Sequence, residues 1–252
     1  MTLGGKIAVV TGASAGIGYE TAVALAADGV RVFAVARRAD KLQALQQRYP
    51  QLIHPVVQDI RDKNLSALRD IAGSHSVDIL VNNAGLAKGR DAVQSATIED
   101  ITEMFETNVA ALIRVTKVFL SDMLERKSGD IINIGSVAGL HAYPGGSMYC
   151  ATKAAVHMMS DGWRMELLGK GIRVTEILPG MAETEFSQVR FGGNSELSRK
   201  TYEGMRPLKG ADIAEAILWS LKRPPHVNIQ SLLIMPTDQG GVGFVHREPI
   251  GK

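Results

Sequence analysis

The chain has 252 residues, of which 45% are hydrophobic and 21% charged, with a net charge of +2. Such a chain can bury a large core, and its scattered Lys and Arg residues form no basic stripe for nucleic acid or an anionic membrane surface. The single cysteine, Cys150, excludes an internal disulfide and favours a reducing compartment.

The N-terminal stretch MTLGGKIAVVTGAS has a short apolar run with no basic segment before it, so it does not read as a signal peptide. No apolar run is long enough to span a bilayer. These features lead us to expect a cytoplasmic protein without membrane or nucleic-acid partners.

The first apolar run, KIAVVTG, enters the turn TGASAGIG, where Gly12, Gly16 and Gly18 join a strand to a helix. Glycines let the backbone turn tightly and let another group approach closely. The free N–H groups and positive dipole end of the following helix suit an anion, so Gly12, Ser14, Gly16, Ile17 and Gly18 are expected to hold a pyrophosphate. The spacing is G-x-x-x-G-x-G, not the usual G-x-G-x-x-G. The helix over YETAVALAADG is expected to close on Gly29.

The second run, VRVFAVA, ends at Ala36, followed by Arg37 and Arg38. In NAD-binding folds an acid near this point grips the ribose 2′-hydroxyl. Guanidinium groups instead attract a 2′-phosphate, so NADP is the expected cofactor, with Ser14 placed to assist.

The runs LIHPVVQ, VDILVNN, GDIINIG, IRVTEIL and QSLLIMP follow at intervals, with helical patterns between most of them. Val- and Ile-rich runs of this kind read as strands of a parallel sheet buried on both faces. Their alternation with helices predicts an α/β, doubly wound fold: one domain over 1–252 with a mostly parallel seven-stranded sheet. Two segments break the rhythm. Residues 185–210 are long and polar and read as a substrate loop or lid, and residues 239–252 form a Gly-containing tail.

The segment YCATKAAVHMM places Tyr149 and Lys153 four residues apart, on one face of a helix. A phenol with an unperturbed pKa of about 10 becomes a useful acid–base group if a nearby cation favours its anion. Lys153 is that cation. Ser136, at the end of GDIINIG, lies where ligands bind in open α/β sheets and is the expected partner of a reacting oxygen. Met148, Met158, Met159 and Met165 read as core or interface filler, and Cys150 as a small buried hydrophobe.

Together TGASAGIG, NNAG at 82–85, IGS at 134–136, YCATK and PGMAET at 179–184 resemble the motif series of the short-chain dehydrogenase/reductase superfamily. The resemblance covers nearly the whole chain. It implies that Asn108 joins Ser136, Tyr149 and Lys153 in catalysis by holding a water of a proton relay. It implies further that Asp59 and Ile60 lie beside the adenine and that Asn82, Ala84 and Gly85 line the cofactor. Pro179, Gly180 and Thr184 would contact the carboxamide, while Tyr149 and Lys153 reach the nicotinamide end.

The stretches VNNAGLAKG, AYPGGSMYCATK and ETEFSQVRF are similar to an NADP-dependent serine/3-hydroxy acid dehydrogenase branch. A 3-hydroxy acid carries a carboxylate, for which Arg190 is the candidate partner. A solvated arginine or an inter-subunit ion pair is the other reading of Arg190. His141 and Tyr143 are further candidates to reach the substrate, with Ser136 and Tyr149. No metal enters this reading.

Two other functions stay open: an NADPH-dependent carbonyl reductase of another keto or aldehyde substrate, and an NADP(H)-binding redox sensor. The helix pattern DITEMFETNVAALIRVTKVFLSDMLER is apolar around more than half its circumference. That pattern wants a second partner. The resemblance implies a homotetramer.

Overall fold

The structure is a computed structural model that describes residues 2–248. Seven strands form one parallel sheet: β1 (Ile7–Thr11), β2 (Arg31–Ala36), β3 (Ile53–Val57), β4 (Ile79–Asn82), β5 (Gly129–Ile134), β6 (Ile172–Pro179) and β9 (Ser231–Ile234), in the order β3-β2-β1-β4-β5-β6-β9. Each arises from one of the seven apolar runs. Short strands β7 (Ala182–Glu183) and β8 (Leu208–Lys209) pair in parallel, and β10 (Gln239–Gly241) pairs with β11 (Phe244–Val245).

The helices are α1 (Gly16–Ala27), α2 (Ala39–Gln46), α3 (Ser66–Ser74), α4 (Ile98–Phe105), α5 (Ala111–Arg126), α6 (Ser147–Glu166), α7 (Phe186–Arg190), α8 (Ser195–Tyr202) and α9 (Gly210–Leu221). Side chains alternate across the strands, so the central strands feed two cores. Val10, Val32, Ala34 and Ile132 pack against Ala22 and Leu25 of α1, Leu42 of α2 and Ile213 and Ile217 of α9. Val9, Val35, Leu80 and Ile131 pack against Leu68 of α3 and Val115, Phe119 and Met123 of α5.

Helix α1 ends as the sequence reading expects: Asp28 caps it and Gly29 takes a φ of +85°. The pattern over 100–126 forms one unbroken helical run, as expected, with an irregularity inside it. A π-helical turn over Glu106–Ala110 joins α4 to α5 and carries Asn108. Residues 185–210 differ from an irregular loop, since they fold into α7, α8 and β8. Their apolar residues are too few and too widely spaced to announce helices. The tail begins as the β10–β11 hairpin; its final residues, 249–252, lie outside the described residues.

Strand order reverses direction between β1 and β4. A crevice opens at the carboxyl ends of strands at such a point. Every functional candidate except Gly18, Asn82, Asn108 and His141 lines this crevice.

Candidate active site

The crevice encloses about 1290 Å³, more than the roughly 300–1,000 Å³ usual for one small molecule. Its floor at one end is the glycine turn. Gly12 and Gly16 have φ of +68° and +56°, a region L side chains avoid. A Cβ on Gly12 would lie 2.9 Å from Ala84 Cα, and one on Gly16 would lie 2.9 Å from Thr184 Cβ. Ala15 caps α1 with no side-chain hydrogen bond, so the helix N-terminus keeps the free N–H groups that suit an anion. Ser14 and Ile17 also line the crevice. Gly18 does not; its missing side chain lets α1 pack against the Gly12 carbonyl, 2.5 Å from where a Cβ would stand.

Arg38 turns back over this floor. Its Nη2 and Nε donate to Ser14 Oγ at 2.9 and 3.2 Å, and its Nη1 donates to Glu185 at 2.7 Å. Arg37 stands 3.9 Å from Asp59. Asp59 is gripped by Arg61, and these bonds outweigh its burial to hold its carboxyl below the usual range. Asp59 and Ile60 line the same end of the crevice, while Ala84, Gly85, Pro179, Gly180 and Thr184 line its middle.

One expectation from NNAG changes. Asn82 does not line the crevice. It is the last residue of β4, and its side chain points into the layer between sheet and helices, donating to Thr116 and Asn133, each at 2.9 Å. The neighbouring Asn83 lines the crevice instead, donating to the Thr11 carbonyl at 2.8 Å. The sequence reading missed Asn83. The strand's alternation, continued one residue further, is the signal that separates the two asparagines.

Asn108 is likewise committed to protein. Its Oδ1 accepts from the Leu86 N–H at 2.8 Å, and its Nδ2 donates to the Leu86 carbonyl at 2.8 Å and to Thr152 at 3.0 Å. It braces the loop after β4 against α6.

At the other end α6 presents Tyr149 and Lys153, both buried, beside Ser136 at the end of β5. Lys153 Nζ donates to the Ile134 carbonyl at 2.7 Å. Burial lowers its proton affinity to about 8, opposed by the Glu176 carboxylate. Burial pushes the Tyr149 phenol up, opposite to the expectation from Lys153. The groups pulling it back are the Ser136 hydroxyl and the Arg190 guanidinium. Burial also pushes the adjacent Cys150 thiol up.

Arg190 ends α7. Its Nε donates to the Gly89 carbonyl and its Nη1 to the Tyr143 hydroxyl, both at 2.8 Å. Its guanidinium lies 5.9 Å from the Tyr149 ring centroid. Its Nη2 is buried without a hydrogen-bond partner among the described residues. Tyr143 joins this end of the crevice, but His141 is exposed and does not line it.

The profile of the short chain dehydrogenase family matches residues 6–193. The chain belongs to the short-chain dehydrogenase family. It is 44% identical over 246 residues to a serine 3-dehydrogenase of Rhizobium radiobacter, covering 95% of this chain and 98% of that one. It is 42% identical to an NADP-dependent 3-hydroxy acid dehydrogenase of Salmonella typhi, covering 96% and 99%. Among solved structures, the closed form of a serine dehydrogenase complexed with NADP+ superposes with a TM-score of 0.90 at 40% identity, covering 96% of this chain and 100% of that one.

Within this short-chain dehydrogenase, the sequence motifs and the crevice coincide at Ser136, Tyr149, Lys153 and the glycine turn. Glu185 is a second crevice residue, after Asn83, that sequence reading left out. One acid in a polar loop gives no sign of the arginine it will meet 147 positions away.

Proposed function

We propose that the protein is an NADP-dependent oxidoreductase interconverting a 3-hydroxy acid and its 3-oxo acid. L-serine, allo-threonine and 3-hydroxypropionate are the substrates to try first. The observation that carries the substrate class is Arg190, whose guanidinium lies over the Tyr149 ring with an Nη2 that is buried and unpartnered among the described residues. A buried guanidinium N–H without an acceptor is costly, and a carboxylate is the acceptor that fits it best. The names of the two relatives above support the same class.

The glycine turn, the uncapped start of α1 and the Ser14–Arg38 pair fit a dinucleotide bearing a 2′-phosphate. The bound nucleotide supplies hydride acceptance or donation. Tyr149 moves the proton on the hydroxyl oxygen, and Ser136 hydrogen-bonds that oxygen as charge changes on it. Lys153, charged below about pH 8, favours the phenolate. Arg190 orients the substrate carboxylate, and Tyr143 and Gly89 fix Arg190.

The proposal includes a cytoplasmic homotetramer. Exposed Met158 and Met165 on α6 and Leu168 just beyond it offer an apolar face for partner chains. No helix among the described residues is long and apolar enough to cross a membrane.

Initial rates with the three hydroxy acids, each with NADP and with NAD, test this function. Tyr149→Phe should lower kcat by about 10²–10⁴-fold while NADPH still binds. Arg190→Ala should raise KM for a hydroxy acid by about 10–100-fold, the scale of a lost charged hydrogen bond. An equal effect of Arg190→Ala on an uncharged alcohol would overturn the carboxylate assignment.

A further inference from the structure

Behind Lys153 lies a row of polar side chains that the proposed chemistry does not use. Asn82, Asn133 and Glu176 stand side by side in register on β4, β5 and β6. Asn82 bonds Thr116 and Asn133, and Asn133 donates to Ser160 of α6 at 3.0 Å. Glu176 ends the row and is wholly buried.

One Glu176 oxygen, Oε2, lies 2.6 Å from His157 Nδ1, one helical turn beyond Lys153 on α6. The other, Oε1, is buried with no hydrogen-bond partner among the described residues. It lies against Gly135, where a Cβ would overlap it. Gly135 is flanked by Ile134, whose carbonyl holds Lys153, and by Ser136. The bare glycine therefore leaves room for a carboxylate directly under the reaction centre.

A buried carboxylate costs several kcal/mol unless it is paired and hydrogen-bonded. The charged or titratable groups facing Glu176 are Lys153, His157 and Arg164, all from α6. Arg164 is itself paired with Asp161. β5 and β9 bring Asn133, Gly135 and Ser231 alongside, none of them charged.

We propose that Glu176, held by His157, is the counter-charge that keeps the buried Lys153 amine protonated, so that both act as positioning residues for Tyr149. This rests on the role given to Lys153 above. The couplings run in the required direction. Burial lowers the amine and Glu176 raises it. Burial raises the carboxyl above the usual carboxylate range, and the His157 bond and the charges of His157, Lys153 and Arg164 pull it part of the way back. Removing the carboxylate charge lets the amine lose its proton at lower pH. Removing the His157 bond weakens the carboxylate and does the same to a smaller degree.

The test uses the cofactor-free full chain with carbon-13 at the lysine Cε positions, the Lys153 resonance being assigned by its loss in Lys153→Met. The midpoint of its titration should fall by about one pH unit in Glu176→Gln, a tenfold loss of proton affinity. It should fall by less in His157→Ala, whose partly exposed site tolerates truncation. The alkaline limb of kcat should move with it in both variants.

An unmoved midpoint in a folded Glu176→Gln protein overturns the proposal. If that variant does not fold, an unmoved midpoint in His157→Ala overturns it instead. Turnover by Lys153→Met separates the two readings, since wild-type turnover there sinks the catalytic role of Lys153 whatever the midpoint does.

Discussion

Lys153 places a cation where burial opposes it. With its proton affinity lowered from 10.5 to about 8, folding penalises the charged amine by roughly 3 kcal/mol at pH 7, at about 1.4 kcal/mol per unit. The penalty is complete below the folded value and vanishes as pH rises through the unfolded one. Lys153→Met also loses the bond from the charged amine to the buried Ile134 carbonyl, worth about 2 kcal/mol. The variant should therefore be inactive yet about 1 kcal/mol more stable at pH 7. Urea melts should show that gain shrinking between about pH 8 and 10.5. Stability given up at a reaction centre is a common trade. Gly135 marks the same constraint from the other side. Gly135→Ala must displace Glu176 or the strand, and a loss of about 1–3 kcal/mol is expected in the same melts.

At the level of elements, α7 and the turn before it connect the two ends of the crevice. Glu185 holds Arg38 at the nucleotide end, and Arg190, five residues on, reaches the Tyr149 ring at the other. On the proposed reading, a 2′-phosphate would compete with Glu185 for the Arg38 guanidinium. Arg38→Ala should raise KM for NADP by about 10–100-fold and leave NAD nearly unchanged, as expected for a lost phosphate contact. Glu185→Gln should do the reverse, lowering the NADP dissociation constant about threefold in a calorimetric titration, the scale of an exposed ion pair.

These elements were unevenly legible in the sequence. The central strands could be read because β-branched runs buried on both faces leave little alternative, and the edge strands β3 and β9 because apolar runs recur in step with them. The glycine turn could be read because its positive φ values restrict the residue type. The π-helical turn at Glu106–Ala110 could not, since one extra residue hardly disturbs a helical pattern. Helices α7 and α8 hid in polar sequence, where length and glycines suggested a loop. Asn82 misled because adjacent identical residues face opposite ways. Glu176 did leave a trace: a single acid inside the apolar run IRVTEIL is unusual, and such a residue is buried only with a partner.

At the scale of the whole molecule, the sheet closes two cores but leaves apolar surface outside them. Met165 and Leu168, near the C-terminal end of α6, are 71% and 76% exposed, and Trp219 of α9 and Leu233 of β9 are about half exposed. The expected outcome of sedimentation equilibrium is a mass of four chains. Met165→Glu on the α6 face should shift the population to smaller species while each chain stays folded, because a charge buried at an interface without a partner is costly.

Cys150 is the chain's one thiol, buried beside Tyr149 on α6. Chemistry aside, that makes it a clock. A thiol-reactive dye in excess can label the native protein only when this helix lifts from its neighbours, so the labelling rate counts those openings. Comparing the rate with and without a bound nucleotide would weigh, in the same tube and with no engineered probe, how firmly the ligand latches the reaction centre shut.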